Sequence, residues 1–148
     1  MGVVVPPPDM WQDRALGGAL LEFKHDVEAV MGEFPELHAI SWYRDWTHNA
    51  EEGGQPLSQH LLGLAIDLDW MGADLDYFKA AGASAVERGL TAIVYWNEEK
   101  RSLHLQALPP PMDESPFVPL LSWPGDFAQL WTLIFNRLRW TPQVVVKT

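Results

Sequence analysis

The segment SQHLLGLAIDLDW (58–70) constrains the fold more than any other part of the chain. Leu64, Ile66 and Leu68 alternate with Ala65, Asp67 and Asp69, the period-two pattern of a strand buried on one face. Leu64, Ile66, Leu68 and Trp70 share one side, and Ala65, Asp67 and Asp69 share the other. Burying the first side requires a sheet with a layer packed on it, and the same step fixes where the aspartates point. His60 stands just upstream in a Ser-led turn. The polar residues around this apolar run are either surface punctuation or a group that draws charge inward, as a metal does.

A partner for that strand lies downstream. TAIVYW (91–96) and SLHLQAL (102–108) flank the polar stretch NEEKR and read as a β-hairpin. In SLHLQA the alternation sets Ser102, His104 and Gln106 on one face and Leu103 and Leu105 on the other. LHAISWYR (37–44) is a further strand candidate, with Ile40 and Trp42 alternating against Ser41 and Tyr43. Leu16, Leu20, Phe23, Val27, Val30 and Phe34 recur at helical spacing and predict a helix. A second helix is predicted within 73–88 from Leu75, Phe78 and Val86, ending at Gly89. Between these, DWTHNAEEGGQP (45–56) reads as loop. The expected architecture is a compact α+β domain, an antiparallel sheet packed with helices.

The ends read differently. Residues 1–10 are Pro-rich and predict an extended arm, leaving the domain proper at 11–108. A Pro-rich linker follows over 109–124. Residues 125–148 then hold an amphipathic helix and a tail, with Phe127, Leu130, Trp131, Ile134 and Leu138 at helical spacing. That apolar stripe either caps the core or docks a partner protein or a membrane surface. For the last of these, Lys147 and the Arg137–Arg139 pair supply little positive charge.

Charge and composition remove several function classes. Ten Lys and Arg against 20 Asp and Glu give a net charge of -10, so no basic face is available for a nucleic-acid backbone. The absence of cysteine excludes disulfides and thiolate metal sites, so any zinc must use His and carboxylate ligands. No apolar run reaches the ~20 residues of a transmembrane helix. MGVVVPPPDM has neither the basic region nor the apolar core of a secretory signal, and it lacks the Ser/Thr of a myristoylation motif. The expectation is synthesis in the cytoplasm, with another export route for any work outside it.

Pairing 64–70 with 102–108, apolar faces inward, brings Asp67 and His104 side by side, with His60 folding over the same spot. Two imidazoles and a carboxylate leave a fourth tetrahedral position open for water, the mark of a catalytic rather than structural zinc. Asp67 and Asp69 equally read as a solvated strand edge, and a lone strand histidine as a hydrogen-bonded structural residue.

SWYRDWTHNAEEGGQPLSQHLLGLAIDLD resembles the signature of the zinc D-Ala-D-Ala carboxypeptidase and peptidoglycan endopeptidase family: S-G-Y-R, H-N, G-G, then S-x-H-x-x-G-x-A-x-D, with a later strand histidine. The amino-terminal domain of sonic hedgehog and lysostaphin-type peptidases share that metal-site architecture. The resemblance covers roughly residues 15–108. It implies zinc held by His60, Asp67 and His104, with Arg44 gripping a substrate carboxylate or the scissile carbonyl and Ser58 supporting the site. Asp69 orients a ligand or is a plain surface residue, and His48 organises its loop. His25 and His38 have no argued role. The implied activity is metal-assisted hydrolysis of a peptide bond involving a D-amino acid in the bacterial cell wall. The implied setting is host lysis or a phage virion component.

The sequence departs from the family pattern at the general base. Where family members carry an acid or histidine near the last ligand, this chain has Arg101, Ser102 and Gln106. The nearest acids are Glu98 and Glu99 in NEEKR, and Glu99 is the candidate base, although such a charge run also reads as a solvated turn. Two rival readings therefore stand beside the peptidase. One is a zinc-containing scaffold that binds without hydrolysing, as a structural or attachment protein. The other is a metal-free interaction domain assembled through its tail helix.

Overall fold

The computed structural model describes residues 3–51, 59–107 and 142–148. Its elements run α1 (Pro8–Gln12), α2 (Arg14–Glu33), β1 (His38–Ser41), α3 (Trp46–Glu51), a 3-10 turn (Gln59–Leu62), β2 (Ala65–Asp69), α4 (Leu75–Glu87), β3 (Thr91–Trp96), β4 (Arg101–Gln106) and β5 (Val144–Lys147). The strands form one sheet in the order β1-β2-β4-β3-β5. Pairing is antiparallel from β1 through β3, while β5 joins β3 in parallel, so the sheet is mixed. The fold is α+β.

The two long helices cover one face of this sheet. Leu16, Leu20, Phe23, Val27 and Val30 of α2 are all buried, as their spacing predicts. They meet Phe78, Ala81 and Ala85 of α4, Leu64 just ahead of β2, and the sheet residues Ile66, Leu68, Ala92, Val94, Leu103 and Leu105 in one core. Each such large side chain contributes about 1.5–3 kcal/mol by leaving water, which fixes which face of each strand turns inward. Helix α4 starts at the N-cap Asp74, whose carboxylate accepts from the Tyr77 N–H at 2.7 Å. A Cβ on its Gly82 would come within 3.2 Å of the Ala92 Cβ, so glycine there lets α4 lie close on the sheet.

Several expected boundaries move. The strand over 37–44 contracts to His38–Ser41, because its register with β2 breaks between Ala39 and Ser41 and the chain peels away. The segment expected as loop contains α3, where Asp45 Oδ1 accepts from the His48 N–H at 2.7 Å and caps the first turn. The N-terminal arm runs into α1, opened by Pro8, whose missing N–H costs nothing at a helix start. The tail residues Val144–Lys147 are a strand, a β-branched run that extends the sheet. The predicted linker and C-terminal helix fall within 108–141 and lie outside the described residues.

Candidate metal centre

The face of the sheet turned away from α2 and α4 carries the polar residues. On it Asp67 of β2 and His104 of β4 are directly paired, with Ser41 of β1 opposite Asp67 and Ile93 of β3 opposite His104. His60 enters from the 3-10 turn ahead of β2. One ligand atom each from His60, Asp67 and His104 lies within 4.8 Å of the others, and the two imidazole rings are 5.3 Å apart, edge to face.

Both rings are held from behind. His60 Nδ1 lies 2.5 Å from the carbonyl oxygen of Trp42, and His104 Nε2 lies 2.8 Å from Oε1 of Gln106. Each of those oxygens can only accept, so each ring spends its N–H outward. The inward nitrogens, His60 Nε2 and His104 Nδ1, are thereby left with lone pairs. They face the same carboxylate, at 3.3 Å from Oδ2 and 2.8 Å from Oδ1 of Asp67. Two lone pairs and a carboxylate repel one another unless a cation sits among them. Burial also pushes His60 below its ordinary pKa of 6.5, against the pull of Asp67, which keeps this imidazole neutral as a ligand must be. The donor set of two imidazoles and one carboxylate fits zinc, with carbonyl acceptors behind both rings.

Asp67 is the hub. Burial raises its pKa, but positive charge placed between it and the rings of His104 and His60, a proton or a metal ion, outweighs that and holds the carboxyl well below the usual carboxylate range. Its Oδ2 also accepts from Arg44 Nη2 at 3.0 Å, and Arg44 Nε donates to Ser41 Oγ at 2.9 Å. The Arg44 backbone N–H donates to the His60 carbonyl at 3.1 Å. Arg44 is thus buried against the Asp67 carboxylate.

The other candidate residues are placed apart from this cluster. Glu99 is exposed in the turn between β3 and β4, where its backbone N–H donates to Asn97 Oδ1. Asp69 lies one pleat beyond Asp67 and turns its carboxylate onto the Trp70 N–H at 2.7 Å. Ser58 lies outside the described residues. Sequence reasoning missed the acceptors behind the rings. Trp42 acts through its backbone, which leaves no mark in side-chain identity. Gln106 had a usable signal, since it shares the face of His104 two residues on. Solvent reaches the site from the His104 side: that side chain is 12% exposed, against 3% for His60 and 5% for Asp67.

A family model described as Peptidase M15 matches residues 11–106, about two thirds of the chain and all of β1 to β4. Searches of curated proteins and of solved structures found no match.

Proposed function

This chain belongs to the peptidase M15 family, and from that premise we propose that it is a peptidoglycan peptidase, cutting a bond that involves a D-amino acid in a stem or cross-link peptide. Peptidases of this family are zinc-dependent hydrolases, and His60, Asp67 and His104 form a group able to hold the ion. The observation that carries the reading is the paired outward tethering of the two imidazoles, which aims both inner nitrogens at one carboxylate.

Zinc bound there supplies Lewis-acid polarisation of a carbonyl and brings the pKa of a water to about 7. The protein's own residues do the rest. Trp42 and Gln106 hold the rings in the ligating tautomer, and Arg44 and Ser41 fix the Asp67 carboxylate. A peptide approaches from the exposed edge of His104. The net charge of -10 suits neutral or cationic wall peptides better than polyanions. No helix among the described residues is long and apolar enough to cross a membrane. Action at the cell wall, in host lysis or as part of a virion, is the setting this substrate implies.

A second reading is favoured by one observation: the positions near the last ligand hold Arg101, Ser102 and Gln106 rather than a carboxylate, and Glu99 sits at the hairpin tip. On that reading the chain is a zinc-containing wall-binding module without hydrolysis. Zymography on purified cell wall decides between them. The zinc-loaded chain is expected to clear the wall, and His60→Ala and Asp67→Ala variants to lose clearing. A folded, zinc-loaded chain that co-sediments with wall and releases no peptide would establish the second reading.

A further inference from the structure

We propose that residues 3–12 form a clamp on the metal ligand His60, with Trp42 as the positioning residue that transmits it. The inference rests on the reading of His60 as a zinc ligand. His60 sits in a single 3-10 turn, too short to orient a side chain by itself, and its ring direction comes from the Trp42 carbonyl. Trp42 follows the last residue of β1, so the strand ladder does not hold that carbonyl.

Its own side chain does. The Trp42 indole N–H donates to the Gly63 carbonyl at 2.7 Å, and its ring stands edge-on to Trp11, 6.1 Å between centroids at 85°. Trp11 in turn donates its indole N–H to the Pro6 carbonyl at 2.8 Å. Pro6 is buried against Gly63, where a Cβ would lie 2.6 Å from the proline Cγ and where φ is +71°. On the other flank of Trp42, the Tyr43 N–H donates to the Val4 carbonyl at 3.1 Å. The circuit closes on the ligand, because the Gly63 N–H donates to the His60 carbonyl at 3.1 Å.

Both tryptophans give their N–H to a backbone carbonyl, so the clamp is directional as well as apolar. Replacing either by phenylalanine keeps the ring packing and removes the direction. The ligand and the arm are then thermodynamically linked: whatever the arm adds to zinc affinity, zinc must return to arm docking.

The test uses the full-length chain. Zinc affinity is measured by chelator competition for wild type, Trp42→Phe, Trp11→Phe and a control, Val30→Ala, which cuts the α2 core away from the site. Exchange of the Tyr43 amide is followed with and without zinc. Folded Trp42→Phe and Trp11→Phe are expected to bind zinc about 10–100-fold more weakly, with an altered cobalt(II) absorption spectrum. Val30→Ala is expected to keep wild-type affinity, and zinc is expected to slow Tyr43 exchange in wild type. Should Trp42→Phe not fold, Trp11→Phe carries the test. Equal zinc affinity in wild type and a folded tryptophan variant overturns the clamp alone, as does an equal loss in Val30→Ala. A wild-type chain that takes up no zinc overturns both the clamp and the metal reading beneath it.

Discussion

Asp67 and His104 face each other across β2 and β4, and carboxylate and imidazole meet at 2.8 Å. This one cross-strand pair ties the site to the core. Ile66 and Leu68 of β2, with Leu103 and Leu105 of β4, turn the opposite face inward, so the ligands cannot rotate away without unburying those side chains. A one-residue slip of β2 would carry Asp67 into the core, and burial of these apolar side chains at about 1.5–3 kcal/mol each opposes it.

The first prediction concerns Gln106. Its Oε1 accepts the outward N–H of His104 and thereby leaves the Nδ1 lone pair turned toward Asp67. Gln106→Leu is expected to weaken zinc binding by about 10–100-fold, the usual cost of removing such a partner. Gln106→Glu restores an acceptor at the same place and is expected to bind at least as tightly as wild type. Chelator competition measures both, and an unchanged affinity in Gln106→Leu would refute the role.

Glu99 gives the second. His104 lies three residue steps along β4 from Arg101, about 10 Å at ~3.3 Å per residue, and Glu99 lies two further along in the turn. A glutamate side chain does not span that distance. Glu99→Gln is therefore expected to leave hydrolysis within about twofold, whereas loss of a true general base costs about 10²–10⁴-fold. Steady-state rates on a wall peptide separate the two outcomes, with metal content as control.

These two glutamate and glutamine positions also mark what the sequence could convey. The facing of Asp67 and His104 was readable, because strand alternation and a hydrophobic partner face leave little freedom. The α2 stripe was readable for the same reason at helical period. Backbone acceptors such as the Trp42 carbonyl were not, since any residue offers one. Nor was the use of Arg44: a motif shows that an arginine is present, but only the fold turns it onto Asp67 rather than toward solvent. β5 was missed because its three valines sit far along the chain from the strand they join.

The third prediction is a pH effect outside the site. Arg88 Nη2 donates to Glu33 Oε1 at 2.7 Å, tying the end of α2 to the end of α4. The hydrogen bond from Arg88 holds Glu33 below its ordinary 4.5. A depressed folded-state pKa means the contribution is complete above the unfolded value and disappears as pH falls through the lower, folded one. Thermal melts between about pH 5 and pH 3 should therefore show a small loss of stability that Arg88→Met lacks. The pair is exposed, so high salt should shrink the difference. A parallel decline in wild type and variant at low salt would contradict it.

The last prediction separates Arg44's two possible duties. Its Nη2 contacts Asp67 Oδ2 at 3.0 Å and its Nε contacts Ser41, contacts that neutralise and orient the Asp67 carboxylate. Arg44→Met removes one partner of a buried ion pair and leaves the Asp67 charge poorly compensated. Without zinc the variant is expected to lose about 3–5 kcal/mol of stability. With zinc saturating, the ion takes over part of that compensation, so the loss should shrink. Denaturant melts of wild type and Arg44→Met, each with chelator and with excess zinc, make the comparison. A residue that only grips substrate would show the opposite pattern: equal stability in both conditions, and a raised KM as the sole defect.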